Sequence, residues 1–181
     1  MLRIIGGDAK GRRLKGPKGL EFRPTTGRVK EFVFSIIGPD LYEAQVLDLF
    51  AGSGSLGIEA LSRGAVKVTF VEQCREHVRL IEQNVALCHF EAKSRLLKGD
   101  VFKVIKYLGK QPSKFDIILA DPPFRQSLHT AIVLAVAKQK ILQENGMLII
   151  EHQIDDILKQ ESNLHLIRQR HFGHCMVSIY D

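Results

Sequence analysis

The sequence is poor in cysteine and has no hydrophobic run long enough to cross a membrane. Its 181 residues include three cysteines, Cys74, Cys88 and Cys175, and no two of them form a C-x-x-C pair. No apolar stretch approaches the ~20 residues that span a bilayer, and the N-terminal residues lack the apolar core of a signal peptide. We therefore expect buried thiols rather than a disulfide framework, a cytoplasmic location and no membrane contact.

The sequence also lacks internal repeats and low-complexity segments. A hydrophobic fraction of 45% is ordinary for a globular protein, and 181 residues can bury one sizeable core. We expect a basic hairpin-and-helix extension over residues 1–43 and a main domain over residues 44–181.

Positive charge is concentrated at the N-terminus of the chain. The net charge is +6, but residues 1–30 alone carry nine basic and two acidic side chains, so the remaining 151 residues sum to −1. A basic arm on a neutral body is a footprint of nucleic-acid binding, although a charge run can also be a solvated face. Arg12, Arg13 and Arg28 are therefore predicted to contact phosphates rather than to act as catalysts.

The N-terminal extension shows two strand patterns followed by a helix pattern. Residues 2–5 and 12–15 look like short strands, and the glycines between them permit a hairpin. Thr25 or Thr26 can cap a helix, after which apolar residues recur on one helical face: Val29, Phe32, Val33, Ile36 and Ile37. We predict that this face packs on the main domain, with Arg28 and Lys30 on the other side.

The most informative stretch is VLDLFAGSGSLG at residues 46–57, which predicts a buried strand, a glycine turn and a helix start. Such a turn lets a ligand approach backbone N–H groups at a helix N-terminus. Gly52, Gly54 and Gly57 match the dinucleotide pattern, and Glu72 follows about 20 residues on, where a ribose-binding carboxylate is expected. These features indicate an adenosine-containing cofactor without choosing between NAD and S-adenosylmethionine.

Strand and helix patterns alternate along the main domain. Strands are predicted at residues 46–50, 67–71, 95–98, 115–120 and 146–151, and helices near 55–63, 74–90, 101–108 and 127–140. This alternation predicts an α/β fold with a doubly wound, mostly parallel sheet. Two last strands, at 164–168 and 175–180, are too close in sequence for a parallel crossover. We therefore expect an antiparallel C-terminal hairpin that completes a seven-stranded sheet.

A second motif, DPPF at residues 121–124, follows an apolar strand and so stands at the carboxyl edge of the sheet, where ligands bind in open α/β folds. The prolines fix the backbone and leave their carbonyls free to accept hydrogen bonds. Phe124 could stack on a base, a contact worth about 1–3 kcal/mol elsewhere. Asp121 and the Pro122 carbonyl could accept both hydrogens of an exocyclic amine while its nitrogen attacks a methyl group. The sulfonium of S-adenosylmethionine provides such a methyl, so we expect no metal.

Together these motifs resemble class I S-adenosylmethionine-dependent methyltransferases of the amino-methylating group. The motifs RRL at 12–14, RPTT at 23–26 and RVKE at 28–31 resemble the RsmD family more narrowly, over nearly the whole chain. The resemblance implies a Rossmann-like fold and methyl transfer to N2 of one guanine in 16S ribosomal RNA of the small ribosomal subunit, with S-adenosylhomocysteine as product. It also implies RNA binding through six residues of the extension: Arg12, Arg13, Arg23, Thr25, Arg28 and Lys30.

The resemblance further implies a role for each residue of the site. The guanine would be received by Asp121, Pro122, Pro123 and Phe124. The cofactor would be held by Asp48, Phe50, Ala51, Gly52, Ser53, Gly54, Glu72, Asp100 and Val101. Asp48 would serve the methionine end, Glu72 the ribose hydroxyls and Asp100 the adenine amine. Structural alternatives exist, since Asp48 could cap a neighbouring loop and Asp100 could cap the following helix.

Other functions stay open at this point. An adenine-N6 methyltransferase acting on DNA or RNA would use the same Asp-Pro-Pro-aromatic turn. A non-catalytic RNA-binding assembly factor would keep the fold without the reaction, and an NAD dehydrogenase would leave the DPPF motif unexplained. We expect a monomer that acts on the small ribosomal subunit or its assembly intermediates.

Overall fold

The protein is described by a computed structural model that covers residues 2–16, 27–123, 128–156 and 162–181. The strands are β1 Gln45–Leu49, β2 Lys67–Glu72, β3 Ser94–Lys98, β4 Phe115–Ala120, β5 Leu142–Gln153, β6 Leu166–Phe172 and β7 Cys175–Tyr180. The helices are α1 Gly27–Ile37, α2 Ser55–Ser62, α3 Arg75–Cys88, α4 Val101–Leu108 and α5 His129–Gln139. The predicted order and type of elements in the main domain are confirmed. None of the helices in the described ranges is long and apolar enough to span a bilayer.

The seven strands form one sheet in the order β3-β2-β1-β4-β5-β7-β6. The first five are parallel, and β7 runs antiparallel to both of its neighbours, β5 and β6. The predicted parallel sheet with a C-terminal antiparallel hairpin is therefore confirmed. Because β1 lies between β2 and β4, the chain changes direction across the sheet at the carboxyl ends of β1 and β4.

Two apolar clusters cover the faces of the sheet. Side chains of α1, α2 and α3 pack on one face, and those of α4 and α5 pack on the other. Residues alternate between the faces along each strand, so Val46 lies in the first cluster and Leu47 in the second. The same period of two turns Asp48 toward α2, which explains why a carboxylate interrupts this apolar strand.

The N-terminal extension folds back on itself, but not as two full strands. Arg3 and Arg13 form a single antiparallel bridge, flanked by a hydrogen bond from Ile4 N to Arg12 O at 3.0 Å. The prediction of pairing is confirmed, whereas the prediction of strands over residues 2–5 and 12–15 is wrong. The ladder stops because the next N–H groups along the chain, of residues 5 and 6, donate to a side chain of α2 instead.

Helix α1 buries the predicted apolar face and a second side as well. Val29, Phe32, Val33 and Ile37 lie in the core as predicted, Ile36 is partly buried against it, and Phe34 is buried as well. The two predicted caps, Thr25 and Thr26, lie outside the described residues. The boundary between extension and main domain at residue 43 stays a prediction.

Lys30 corrects the sequence analysis, because it is buried rather than facing solvent. Its exposed fraction is 2%, and its Nζ lies 3.0 Å from Glu59 Oε2. Nζ also donates to Arg3 O at 3.1 Å and to Ser55 Oγ at 3.2 Å. Burial lowers the pKa of Lys30, and the negative charge of Glu59 opposes that shift. In this position Lys30 joins α1 to α2 through its ion pair with Glu59, and it is not available to an RNA phosphate.

The carboxylate of Glu59 joins four partners at the centre of this contact. It accepts from Ile5 N at 2.9 Å, from Gly6 N at 2.8 Å and from Arg63 Nε at 2.8 Å, in addition to Lys30. Its side chain has no exposed surface. A buried carboxylate is tolerated here because both oxygens are paired with cations or N–H donors.

We predict that Glu59→Gln lowers the free energy of unfolding by about 3–5 kcal/mol, the usual cost of breaking a buried ion pair from one side. The amide keeps the volume but leaves the Lys30 ammonium buried without its counter-charge. Urea denaturation followed by circular dichroism measures the change. Glu82→Gln, on the exposed side of α3, is the control and should cost less than about 0.5 kcal/mol. Equal losses in the two variants would contradict the assignment.

Candidate active site at the carboxyl edge of the sheet

The turn between β1 and α2 has a strained backbone. Phe50, Gly52 and Gly54 have positive φ angles of 58°, 55° and 77°. Glycine adopts this region freely, but in a phenylalanine it costs of order 1–3 kcal/mol, and such strain clusters at functional sites. Ala51 N donates to Val71 O at 3.1 Å, and Gly54 N donates to Ala51 O at 2.7 Å. The predicted glycine turn is confirmed, and its hydrogen bonds hold it in place.

Gly57 brings α2 into direct contact with β2. A Cβ at this position would lie 2.3 Å from the ring of Phe70 and 2.8 Å from Val68, so no larger residue fits. The N–H of Gly57 donates to Asp48 Oδ2 at 2.9 Å. The third glycine of the pattern is therefore required by helix–strand packing and not by a ligand.

Asp48 is a buried carboxyl group, with an exposed fraction of 1%. Burial raises the pKa of Asp48 to about 7; the Gly57 N–H opposes the rise, and the charge of Glu72 adds to it. Through Gly57 the carboxyl group fixes the first turns of α2 against β1. The structural alternative considered for Asp48 was a cap on a neighbouring loop, but the N–H that it binds belongs to the first turn of α2. The contact of Asp48 with the methionine end of a cofactor stays a prediction.

Glu72, at the end of β2, links two loops that border the candidate cofactor site. Its Oε2 accepts from Gly52 N at 2.9 Å, and its Oε1 accepts from Cys74 N at 2.8 Å. His77 Nδ1 lies 3.7 Å from Oε2. Each carboxylate oxygen has a second lone pair, so these bonds orient Glu72 without exhausting its capacity to accept from ribose hydroxyls.

Asn84 on α3 is a positioning residue that sequence reasoning missed. Its Nδ2 donates to Ser53 O and to Lys15 O, both at 2.9 Å, and its Oδ1 accepts from Lys15 N at 2.8 Å. The side chain has no exposed surface. Asn84 thus joins the glycine turn to the N-terminal extension. A polar residue among helical positions gives no sequence signal for such a bridge.

Asp100 caps α4, as the structural alternative for it predicted. Its Oδ1 accepts from Lys103 N at 3.0 Å, and its backbone is extended as expected of an N-cap. Val101, the first residue of the helix, is buried in the cluster that Phe50 also contacts. Asp100 lies two residues after the end of β3. Because β1, β2 and β3 are parallel, it is at the same carboxyl edge as Asp48 and Glu72. Its contact with an adenine amine stays a prediction.

Asp121 lies beside the glycine turn because of the strand register. Ala120, the last residue of β4, pairs with Leu49, the last residue of β1. Asp121 and Phe50 therefore leave the sheet side by side, at the place where the strand order changes direction. Asp121 is half-buried, which suits a carboxylate that must meet a ligand from solvent.

The two prolines after Asp121 differ in exposure. Pro122 is buried and Pro123 is exposed, so the backbone passes from the core to the surface within this turn. Neither residue has an N–H, and their carbonyls can accept from a ligand. Phe124, the predicted stacking ring, lies outside the described residues.

A buried histidine cluster anchors the helix that follows this turn. His129, the first residue of α5, stacks on His152 with ring centroids 3.9 Å apart. Its Nδ1 lies 2.8 Å from Asp156 O and must donate to it, because a carbonyl oxygen only accepts. In the neutral ring Nε2 is then the acceptor, and it accepts from Tyr180 Oη at 2.6 Å. Burial lowers the pKa of both histidines, that of His152 to about 4. No sequence pattern joins these residues, which meet only through strand pairing.

The described arginines of the extension remain on the surface. Arg12, Arg13 and Arg28 are exposed, and Arg12 Nη1 also donates to Leu87 O. Arg23 and Thr25 lie outside the described residues. The structure thus brings three of the six predicted RNA-binding residues to the surface and places Lys30 in the core.

The amino edge of the sheet carries a shallow pocket of about 300 Å³. Tyr42, Asp116 and Asn145 are among its lining residues, next to the first residues of β1 and β4. Ligands of open α/β sheets bind at the opposite, carboxyl edge, so this pocket is not the candidate site. Within the described ranges, no three His, Cys, Asp or Glu side chains are grouped to hold a metal ion.

Comparisons with known proteins agree with this geometry. A family model described as Conserved hypothetical protein 95 matches residues 2–181. Ribosomal RNA small subunit methyltransferase D of Escherichia coli K12 is 32% identical over 180 residues, covering 99% of this chain and 89% of that protein. The structure of a hypothetical protein from Thermus thermophilus has a TM-score of 0.85 and 27% identity, covering 99% of this chain and 98% of that one.

A more distant structure shares the fold alone. It is an RNA methyltransferase from Salinibacter ruber in complex with S-adenosyl-L-homocysteine, with a TM-score of 0.66 and 15% identity. The alignment covers 87% of this chain and 92% of that chain. The predicted class I methyltransferase fold is confirmed.

We predict that Asp48→Asn changes the pH dependence of stability. The folded pKa of Asp48, about 7, lies above its unfolded value, so the contribution of Asp48 to the stability of the wild type is lost as pH rises between about 4 and 7. Asparagine does not titrate, and the free energy of unfolding of the variant minus that of the wild type should therefore increase across this range. Urea denaturation at several pH values measures the difference. The contributions of the buried histidines are the same in both proteins and cancel in it. A difference that stays constant with pH would contradict the buried carboxyl assignment.

Proposed function

The chain belongs to the family described as Conserved hypothetical protein 95, the RsmD family, and we propose that it methylates N2 of a guanine in 16S ribosomal RNA. The methyl donor is S-adenosylmethionine. The observation that carries the proposal is the pairing of Leu49 with Ala120, which puts a cofactor-type glycine turn beside an Asp-Pro-Pro turn. The methyl donor and the accepting amine can therefore both bind at the carboxyl edge of the sheet.

The acids at the ends of three neighbouring strands suit S-adenosylmethionine. Asp48, Glu72 and Asp100 belong to or follow β1, β2 and β3, and each is oriented by a backbone N–H donor. Glu72 would accept from the ribose hydroxyls, and Asp100 retains its Oδ2 for the adenine amine. The strained turn from Phe50 to Gly54 brings backbone N–H groups close to the methionine end. When bound, the cofactor provides a methyl group activated by its sulfonium.

Asp121 and the proline carbonyls serve the accepting amine. An aromatic amine is a weak nucleophile because its lone pair is delocalised into the ring. Acceptors at Asp121 and Pro122 hold the two N–H hydrogens and favour a more tetrahedral nitrogen. They also stabilise the positive charge that develops on nitrogen, and Asp121 or water then takes the proton. Since the turn is fixed on β4, much of the rate acceleration comes from alignment.

The basic extension supports an RNA substrate. Arg12, Arg13 and Arg28 are exposed, and the extension is tied to α2 directly behind the glycine turn. Phosphates bound there would place RNA beside the cofactor, because α2 begins at that turn. We propose that the substrate is the small ribosomal subunit or an assembly intermediate, that the enzyme acts as a monomer and that it works in the cytoplasm.

We predict that Asp121→Ala reduces methyl transfer by at least about 100-fold while the cofactor dissociation constant stays near the wild-type value. The proposed partner of Asp121 is the base, so cofactor binding does not depend on it. Single-turnover transfer measures the first quantity and isothermal titration with S-adenosylhomocysteine the second. Asp116→Ala, at the other end of β4, is the control and should retain activity. Cofactor affinity falling as far as activity would refute the role of Asp121.

A substrate survey tests the function itself. Tritiated S-adenosylmethionine is incubated with small subunits, large subunits, free ribosomal RNA and DNA from cells lacking this protein. We expect label in the small subunit, recovered as N2-methylguanine after digestion. N6-methyladenine would keep the mechanism and overturn the substrate, since the same turn accepts an adenine amine. Cofactor binding without any transfer would favour a non-catalytic RNA-binding assembly factor.

A further inference from the structure

The edge strand β6 is basic and exposed. Residues 166–171 are all exposed, and only Phe172, the last residue of the strand, is partly buried. The segment from Ser162 to Tyr180 contains Arg168, Arg170 and three histidines but no acidic residue. On a chain whose residues 31–181 sum to −1, this is a second local excess of positive charge. Such an excess on one face attracts polyanions.

The pairing pattern brings the end of β6 to the edge that carries the candidate active site. Two antiparallel pairings make β6 parallel to β4, so both strands end at the carboxyl edge. Ile150 pairs with Ala120 beside Asp121, and Gln153, three residues further, pairs with Cys175 at the tip of the β6–β7 hairpin. The tip therefore projects about 10 Å beyond the end of β4 and lies three strand spacings, about 14 Å, to its side.

Aromatic contacts join β6 to the N-terminal extension. The Phe32 ring of α1 lies 5.3 Å from that of Phe172, and Arg170 Cζ lies 4.9 Å from the first centroid and 5.4 Å from the second. A guanidinium over aromatic rings makes a cation–π contact, and it carries five N–H donors that can meet phosphate oxygens. Arg28 lies one helical turn before Phe32 and is exposed. These contacts thus join β6 to helix α1 of the basic extension.

We propose that β6 forms a second RNA-binding surface, with Arg168 and Arg170 contacting phosphates of the same substrate that the N-terminal extension holds. The proposal rests on the proposed function, because it takes the substrate to be ribosomal RNA. A few nucleotides of one RNA strand can span the offset of about 14 Å. The target base at Asp121 is therefore held from both sides, by the extension next to the cofactor and by β6 on the substrate half of the sheet.

The salt dependence of binding measures these contacts directly. Small ribosomal subunits from cells lacking this protein are titrated with full-length enzyme at several KCl concentrations. Arg168→Ala with Arg170→Ala should weaken binding about tenfold at low salt and flatten the slope of log affinity against log salt by about 1–2 units. Arg12→Ala with Arg13→Ala should flatten it by a similar amount. Arg168→Ala alone, which leaves the contacts of Arg170 with the two aromatic rings intact, should flatten it by about 1 unit.

Lys110→Ala with Lys114→Ala is the matched control. It removes the same charge from two exposed residues near the amino edge, between α4 and β4, and should leave the slope unchanged. Equal effects of the β6 pair and the control pair would overturn the proposal, as would an unchanged slope in the β6 variants. In either case the role of these charges would be to prevent the edge strand β6 from pairing with a strand of another molecule. If the wild type binds with a salt-dependent affinity but transfers no methyl, the proposed function fails while the surface stands.

Discussion

The carboxylate of Glu59 is the contact on which the arrangement of this protein depends. It accepts from Lys30 of α1, from Arg63 directly after its own helix and from two backbone N–H groups of the extension. Because Glu59 lies on α2, one turn after the glycine turn, these bonds fix the basic extension relative to the candidate cofactor site. The desolvation of the carboxylate is costly, and only full pairing of both oxygens offsets it. This buried ion pair therefore sets the position of the extension on α2 and adds little net stability.

The candidate site follows from a second constraint, the register of the parallel sheet. The last residues of β1 and β4 are partners, so the loops that follow them must be neighbours. Asp48, Glu72 and Asp100 each bind a backbone N–H near the site and are thereby oriented before any ligand arrives. Asn84 adds a bridge from the glycine turn to Lys15. A site whose acids are already oriented needs little ordering on binding, which favours alignment of donor and acceptor.

Much of the main domain could be predicted from sequence because its signals are local. Strand period, helix period and glycine or proline punctuation identified every element of the sheet, and the short β6–β7 connection required an antiparallel pair. Lys30 was misplaced because its helical pattern cannot reveal that a carboxylate on another helix is buried opposite it. The stack of His129 on His152 was missed for the same reason, since β5 and β7 bring it together with Tyr180.

The sequence by itself determined the order of strands and helices, the glycine turn and the Asp-Pro-Pro motif, since each is written in residues that are adjacent along the chain. Only the tertiary structure decided that Gly57 allows α2 to pack on β2, that Lys30 forms a buried ion pair and that β6, with its basic residues, ends at the same sheet edge as Asp121. These properties depend on residues between about 10 and 140 positions apart, and burial and pairing between such residues are set by the register of the sheet and the docking of helices on it.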